Sequence, residues 1–156
     1  MNEILINKNI TCAVTGHRNI QDKIDTEKLK NIFIDLIEKD YKYFLIGMAV
    51  GFDMLCFEIL YNLKKEYDIK LIACVPCENQ SKVYSIKEKE KYDEFISVAD
   101  EVVLVSKNYN RYCMFKRNKF MVDNASALVA YLREERGGTK NTVKYAEKSN
   151  INIIYI

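Results

Sequence analysis

The sequence predicts an α/β fold with a doubly wound, mostly parallel sheet and helices on both faces. Short apolar runs alternate with segments of helical periodicity along the 156 residues. The runs are apolar almost throughout, which is typical of parallel strands that are buried on both faces. All five glycines and the single proline follow a predicted strand and precede a predicted helix. Open α/β sheets bind their ligands at that edge.

The first half of the chain contains three strand–helix units. Each strand is a short apolar run that ends at a glycine or at the proline, and each helix carries an apolar face at helical spacing. The first helix is expected to be capped by Asp25 or Thr26. The predicted strands cover 10–15, 43–46 and 70–75, and the helices begin at 25 or 26, cover 54–65 and cover 86–98.

The second half repeats the alternation, with strands over 101–105, 127–132 and 151–156 and helices over 114–125 and 139–148. Right-handed crossovers would assemble these units into one Rossmann-like domain that covers 1–156. We expect the strand order 3-2-1-4-5, in which the first and fourth strands flank the switch point. The segment 78–91 lacks glycine and is charged, and either a mobile flap or a solvated helix and loop would account for it.

Composition limits the classes of function. Hydrophobic residues make up 49% of the chain and charged residues 29%, the balance of one globular domain. The net charge of +2 is too small for a general polyanion-binding protein, so any basic contact must be local. No apolar run approaches the ~20 residues of a membrane span, and residues 1–8 lack the apolar core of a signal peptide. We expect no membrane partner.

The five cysteines predict reduced thiols. An odd count without the spacing of a small disulfide scaffold argues against a disulfide framework and favours a cytoplasmic location. Cys74 and Cys77 form a single C-x-x-C, and His17 is the only histidine. Because a structural zinc site usually needs four Cys or His ligands, we expect no metal. We also expect no cofactor.

The loops that follow the strands hold the candidate ligand-binding residues. Glycine lets a backbone approach a ligand closely, and the following helix start offers free N–H groups and a positive dipole end to a phosphate. Arg18 and Arg117 would add charge-assisted contacts. The predicted ligand-binding residues are Gly16, His17, Arg18, Gly47, Met48, Gly51, Asp53, Pro76, Glu78, Asn79, Arg117, Asn118, Gly137, Gly138 and Thr139.

Several of these residues also have an ordinary structural explanation. His17 would polarise a ligand or stack on a base, or it is a loop histidine bonded to the backbone. Asp53 would accept a hydrogen bond from a ribose hydroxyl, or it is a helix N-cap. Thr139 caps its helix, contacts an anion, or does both. Tight turns and helix–sheet packing also require glycine.

Together these loops resemble the SLOG superfamily and, within it, the YpsA-like proteins. The superfamily is associated with nucleotides and nucleotide-derived ligands on a Rossmann-like fold, which implies such a ligand here. The stretches that carry the resemblance are Thr15 to Arg18, Gly47 to Asp53, Ile72 to Gln80, Cys113 to Asp123 and Gly137 to Val143.

Two related families imply different functions. Gly51-Phe-Asp53 and Arg117-Asn118 are similar to the DNA-processing protein A family, which binds single-stranded DNA. Met114, Arg117 and Met121 are similar to the phosphoribohydrolases, whose Gly-Thr-x-x-Glu supplies a catalytic glutamate. Here Thr142 stands at that position, and a hydroxyl cannot replace the carboxylate that N-glycosidic cleavage needs.

We therefore expect a protein that binds or senses a nucleotide-derived ligand, such as an NAD- or ADP-ribose-like molecule or a signalling nucleotide, without catalysis. One alternative is an N-glycosidase that uses another carboxylate, for which Glu78 is a candidate. Single-stranded nucleic-acid binding is the other, through stacking and a local basic groove. Exposed sheet edges would be compatible with a homo-oligomer.

Overall fold

The computed structural model describes residues 6–20 and 24–156, and in these ranges six strands form one parallel sheet with five α-helices. Each predicted strand and helix is present in the predicted order. The stretch 1–8 that bears on a leader peptide lies partly outside the described residues. The elements are β1 Thr11–Gly16, α1 Thr26–Glu38, β2 Tyr43–Ile46, α2 Phe52–Leu63, β3 Lys70–Val75, α3 Ile86–Val98, β4 Glu101–Leu104, α4 Cys113–Asp123, β5 Ala127–Tyr131, α5 Gly138–Lys148 and β6 Asn152–Tyr155.

Side-chain caps mark where α1 and α3 begin. The Asp25 carboxylate accepts a hydrogen bond of 3.0 Å from the backbone N–H of Lys28, so Asp25 is the N-cap of α1. Ser85 and Glu88 form a reciprocal capping box at the start of α3. None of the described helices combines the length and the apolar character needed to cross a bilayer.

The strand order is β4-β3-β2-β1-β5-β6, with every pair parallel. The expected neighbour of the first strand was the fourth, and that expectation is wrong, because β5 occupies this place. β4 is a short edge strand in which Val102 and Leu104 remain exposed, whereas every residue of β5 is buried. A fully apolar strand fits the centre of the sheet, and a partly charged one fits its edge.

The changed order leaves the crevice beside β1. The crossover through α4 carries the chain from the β4 edge to β5, so the winding reverses between β1 and β5. Gly16 pairs with Tyr131 at the carboxyl ends of these two strands. The ligand-binding edge predicted by the topology therefore opens at Gly16.

Helices cover both faces of the sheet. On one face, α1, α2 and α3 bury an aromatic core in which the rings of Phe57 and Phe95 stack at 4.4 Å. On the other face, α4 and α5 pack branched residues such as Val122 and Val143 against the central strands. The two layers hold the strand ends, and with them the loops, in a fixed arrangement.

Candidate functional site

A cavity of about 500 Å³ opens at the carboxyl edge of the sheet, beside β1 and β5. The loops after β1, β2 and β5 and one face of α4 form its walls. The lining residues are Val14, Thr15, Gly16, His17, Arg18, Asn19, Ala49, Asp53, Met114, Arg117, Asn118, Met121, Glu134, Arg136, Gly137, Gly138 and Thr139.

The structure brings nine of the predicted residues together in this cavity and leaves six outside it. Those that line it are Gly16, His17, Arg18, Asp53, Arg117, Asn118, Gly137, Gly138 and Thr139. The predicted residues outside its wall are Gly47, Met48, Gly51, Pro76, Glu78 and Asn79.

Two glycines allow the loops to pack against each other. A side chain at Gly16 would collide with the ring of Phe52, and one at Gly51 would collide with the backbone carbonyl of Arg18. Gly51 also has a φ of +87°, which favours glycine. These residues fix the β1–α1 loop against the start of α2, and close approach of a ligand is not needed to explain them.

The Gly47–Met48 turn supports the charged residues of the cavity. The Gly47 carbonyl accepts hydrogen bonds from the Arg117 guanidinium and, at 3.1 Å, from the Gln80 amide. A Cβ at Gly47 would lie 2.8 Å from Arg117 Nη1 and 3.0 Å from Asp53 Oδ2. Met48 is fully buried at a φ of +63°, and its carbonyl accepts a 3.1 Å hydrogen bond from the Tyr84 hydroxyl. Gly47 and Met48 therefore act beneath the site.

Arg117 is held rigidly by protein groups. Arg117 is only 5% exposed. In addition to the hydrogen bond to the Gly47 carbonyl, its Nε donates a 2.8 Å hydrogen bond to Asn118 Oδ1. The α4 helix places Met114 and Met121 three residues before it and four after it, on the same face. The guanidinium thus forms a fixed positive wall.

Asp53 is a buried carboxylate that faces the same cavity. Gly51 precedes α2 as its N-cap and Asp53 lies in the first turn, so the N-cap explanation for Asp53 is wrong. Asp53 Oδ2 accepts a 3.2 Å hydrogen bond from the Ala49 N–H. Burial raises the pKa of Asp53 to about 6, against the opposing effects of Arg117, the Ala49 N–H and Arg18.

His17 is tied to the backbone and also lines the cavity. Its Nε2 accepts a 2.8 Å hydrogen bond from the N–H of Arg133, which assigns the proton of the neutral ring to Nδ1. Nδ1 lies 3.8 Å from Glu134 Oε2, and the ring meets Tyr131 edge-on at 5.8 Å. The loop-histidine explanation is thus met, and the ring still contributes to the wall.

The start of α5 is the open part of the site. Added Cβ atoms at Gly137 and Gly138 would have no atom within 4 Å. The left-handed conformation belongs to Gly137, with a φ of +105°, and not to Gly138. The exposed Arg18 and Arg136 side chains line the same space, and in the described part of the chain neither forms a side-chain hydrogen bond. Positive charge and free N–H groups of the helix therefore converge on unfilled volume.

Comparison with known proteins assigns the chain to a family. The family model described as the YspA SLOG family matches residues 12–156. The chain belongs to this family.

Among related sequences, the chain is 33% identical over 137 residues to an uncharacterized SPbeta prophage-derived protein, YoqJ, of Bacillus subtilis strain 168. That match covers 79% of this chain and 80% of YoqJ. The fold is similar to DNA processing protein A of Streptococcus pneumoniae, with a TM-score of 0.67 and 14% identity, over 93% of this chain and 49% of that one.

The fold is also similar to the DNA processing protein A of Helicobacter pylori, whose structure concerns a single-stranded DNA binding mode. That comparison gives a TM-score of 0.66 and 13% identity over 94% of this chain and 64% of that one. The chain thus spans about half to two thirds of these two proteins. At such identities the likeness shows the fold alone.

Within this family fold, the loop after β3 lies away from the cavity, because β3 is two strands from β1. Pro76 is buried, and its carbonyl accepts a 3.0 Å hydrogen bond from Ser106. Glu78 and Asn79 are exposed outside the cavity wall. Glu78 is therefore not the carboxylate of an N-glycosidase site here. Among the described residues, Asp53 and Glu134 are the carboxylates that line the cavity.

Thr142 also lies outside the main cavity. Its hydroxyl donates a 2.8 Å hydrogen bond to the Gly138 carbonyl one turn earlier in α5. At the position where phosphoribohydrolases have the catalytic glutamate, this chain has a threonine, and the hydroxyl proton of that threonine is already donated within the helix.

The cysteines lie in the core as free thiols. In the described ranges, no group of three or more His, Cys, Asp or Glu side chains is placed to hold a metal ion. All five thiols are free and buried. Cys77 lies beside Cys113, and both burial and the neighbouring thiol raise the pKa of Cys77.

Sequence reasoning missed part of the cavity wall. Met114 and Met121 carry, with Arg117, the resemblance to phosphoribohydrolases but are not among the predicted ligand-binding residues, and they flank Arg117 on one face of α4. Asn19 and Arg136 adjoin predicted residues in the same loops. Only Glu134 required the fold, because its place depends on the contact between His17 and the loop after β5. The other missed residues are Val14, Thr15 and Ala49.

Proposed function

We propose that the protein binds a phosphate-bearing, nucleotide-type ligand in the cavity beside β1 and β5 and does not transform it. One observation carries the proposal. The side chains of Arg18 and Arg136 and the open Gly137–Gly138 turn at the start of α5 line one unfilled volume. Such a helix start, with free N–H groups and a positive dipole end, suits an anion.

The rest of the cavity fits the remainder of a nucleotide. A volume of about 500 Å³ lies within the range of small-molecule sites, which is about 300–1,000 Å³. Asp53 provides a carboxylate that can accept a hydrogen bond from a ribose hydroxyl. Arg117 is held in place by its hydrogen bonds to Gly47 and Asn118, and its positive charge balances the negative charge of Asp53. The near-neutral net charge of the chain fits a local basic site.

Single-stranded nucleic acid is the second candidate. The fold that this chain shares with DNA processing protein A suggests this candidate function, and one surface feature favours it. Tyr109 and Tyr112, on the segment that leads into α4, and Phe115, in the first turn of α4, are exposed by 68%, 58% and 53%. Arg111 lies beside them in the chain. Stacking on such rings beside a basic side chain is how single strands are bound without sequence preference.

Thermal shift followed by titration calorimetry tests the proposal. The ligands are AMP, NAD, ADP-ribose and a (dT)12 oligonucleotide. A ligand that binds the folded state raises the melting temperature, so the thermal shift detects it. For a small ligand, Arg18→Ala should weaken binding about tenfold to a hundredfold through loss of a charge-assisted contact. Gly138→Val should weaken it by placing a branched side chain in the phosphate space.

Lys30→Ala, on the exposed surface of α1, is the matched control and should bind like the parent protein. Unchanged affinity in both folded site variants would place the ligand elsewhere. If only the oligonucleotide binds, with log K falling by about 0.7 per neutralised phosphate against log salt concentration, the second candidate holds.

A further inference from the structure

We infer that a second, smaller cavity between α4 and α5 holds the base of the nucleotide whose phosphate lies at the start of α5. This cavity of about 200 Å³ has Phe115 and Tyr145 among its walls. The inference rests on the proposed function, since it assigns a subsite to the same ligand. The inference assigns a role to the aromatic side chains of the second cavity, which phosphate binding alone leaves unexplained.

The two cavities are adjacent. Met114, Asn118 and Gly138 line both of them, so the division between them is no thicker than these residues. Arg18, Arg117 and Arg136 line the main cavity. The second cavity is lined by the aromatic rings of Phe115 and Tyr145, and also by Arg111, Lys119 and Asn141. A molecule with an anionic end and a flat aromatic end matches this placement, and a nucleotide has both ends.

The walls of the second cavity suit a flat heterocycle. Phe115 is 53% exposed and lines this cavity, so part of its ring is accessible for stacking. Tyr145 is held in place, because its hydroxyl donates a 2.6 Å hydrogen bond to Asp123 and Lys119 lies over its ring at 5.6 Å. An aromatic surface that is already ordered costs little entropy when a base stacks on it.

The shared wall also offers hydrogen bonds to the edge of a base. Asn118 uses its Oδ1 to accept from Arg117 Nε, which leaves its amide N–H groups as donors. Asn141 lines the second cavity, and its side chain can donate and accept. Thr142 also lines the second cavity, but its hydroxyl already donates a hydrogen bond to the Gly138 carbonyl.

The test uses two probes that differ only by the base. AMP and ribose 5-phosphate are titrated into the parent protein and into Phe115→Ala, Arg18→Ala and the control Tyr155→Ala. Tyr155 is also an exposed aromatic residue, at 52%, but it lies on β6 outside both cavities. Because the exposed ring of Phe115 is not part of the core, its replacement should leave the fold intact.

We expect Phe115→Ala to weaken AMP about tenfold, as loss of one base–aromatic stack does, and to leave ribose 5-phosphate unchanged. Arg18→Ala should weaken the binding of both probes, and Tyr155→Ala should weaken the binding of neither. If Phe115→Ala leaves AMP affinity unchanged while Arg18→Ala weakens both probes, the base subsite is wrong and the phosphate site stands. If Arg18→Ala changes neither affinity, the proposed function fails first.

The solution mass of the parent and of Phe115→Ala, measured by light scattering, identifies a different occupant. A drop in mass with unchanged affinity for both probes would show that the cavity is a contact between two copies of this chain. That result would also overturn the inference.

Discussion

Burial raises the pKa of Asp53, one of the residues that line the main cavity. Asp53 is 6% exposed and Arg117 is 5% exposed, and both face the same space. A buried pair of charges is a weak source of stability, because desolvation offsets the attraction between them. Its place at the cavity wall is explained better by binding than by folding. The raised pKa of Asp53 makes this cost measurable.

The pH dependence of stability should reveal Asp53. Its pKa rises from 3.8 in the unfolded chain to about 6 in the folded protein, so the folded state binds more protons between these values. Its contribution to stability is therefore complete below pH 3.8 and is lost as pH rises through 6. At 1.36 kcal/mol per pKa unit, the loss is about 3 kcal/mol at most.

Urea unfolding of the parent and of Asp53→Asn between pH 4 and pH 7.5 checks this. The free energy of unfolding of the parent should fall relative to that of Asp53→Asn as pH rises. Glu58→Gln, at a half-exposed carboxylate of α2, should show no comparable trend. A constant difference between parent and Asp53→Asn would contradict the buried, partly protonated carboxyl.

The thiols should be unreactive in the native protein. All five are buried, and burial raises the pKa of Cys12 and of Cys74 to about 12. Reaction needs an accessible thiolate, so at pH 7.5 a chromogenic disulfide reagent should label the folded protein very slowly. After unfolding in guanidinium, all five should titrate within seconds. Fewer than five after unfolding would reveal a disulfide, and fast native labelling would reveal an exposed thiol.

The helix starts show which parts of the site are readable from the sequence. Asp25 is recognisable as an N-cap, and the open Gly137–Gly138 turn fits the predicted anion site. The glycines after β1 and β2 could not be assigned from sequence, because tight packing and ligand approach require the same residue. Only the fold shows that Gly16 faces Phe52 and that Gly51 faces Arg18.

Paired glycine substitutions test this division. Gly51→Ala should lower the free energy of unfolding by several kcal/mol, because its φ of +87° is strained for alanine and its Cβ would displace the β1–α1 loop. Gly138→Ala should leave stability unchanged or raise it by up to about 1 kcal/mol, since alanine favours a helix and the space is open. Urea unfolding measures both. Equal losses in the two variants would contradict the assignment.

At the scale of the whole molecule, the sequence predicts the layers better than the order of the strands. Apolar runs that alternate with helices fix a parallel sheet covered on both faces, and the structure has one. The position of β4 depends on which way one crossover turns, and local periodicity does not encode that direction. The exposed Val102 and the fully buried β5 are the signals that could have placed the two strands.

The absence of a glutamate at Thr142 has a consequence for the molecule as a whole. Of the residues that the structure describes, Asp53 and Glu134 are the carboxylates at the main cavity, with Arg117 near Asp53 and His17 near Glu134. Thr142 lies in the second cavity with its proton given to Gly138. We therefore predict that the protein binds AMP without releasing adenine.

Chromatography of AMP after prolonged incubation with the protein at pH 6 and pH 8 measures this. Adenine should not exceed the level in a buffer control, and the AMP recovered should equal the AMP added. Both pH values are needed, because protonated Asp53 would be the general acid if one were present. Adenine release that disappears in both Asp53→Asn and Glu134→Gln would show a hydrolase with an unconventional pair of carboxylates. Release that survives both substitutions, and falls on further purification, would come from a contaminating enzyme and would leave the binding function standing.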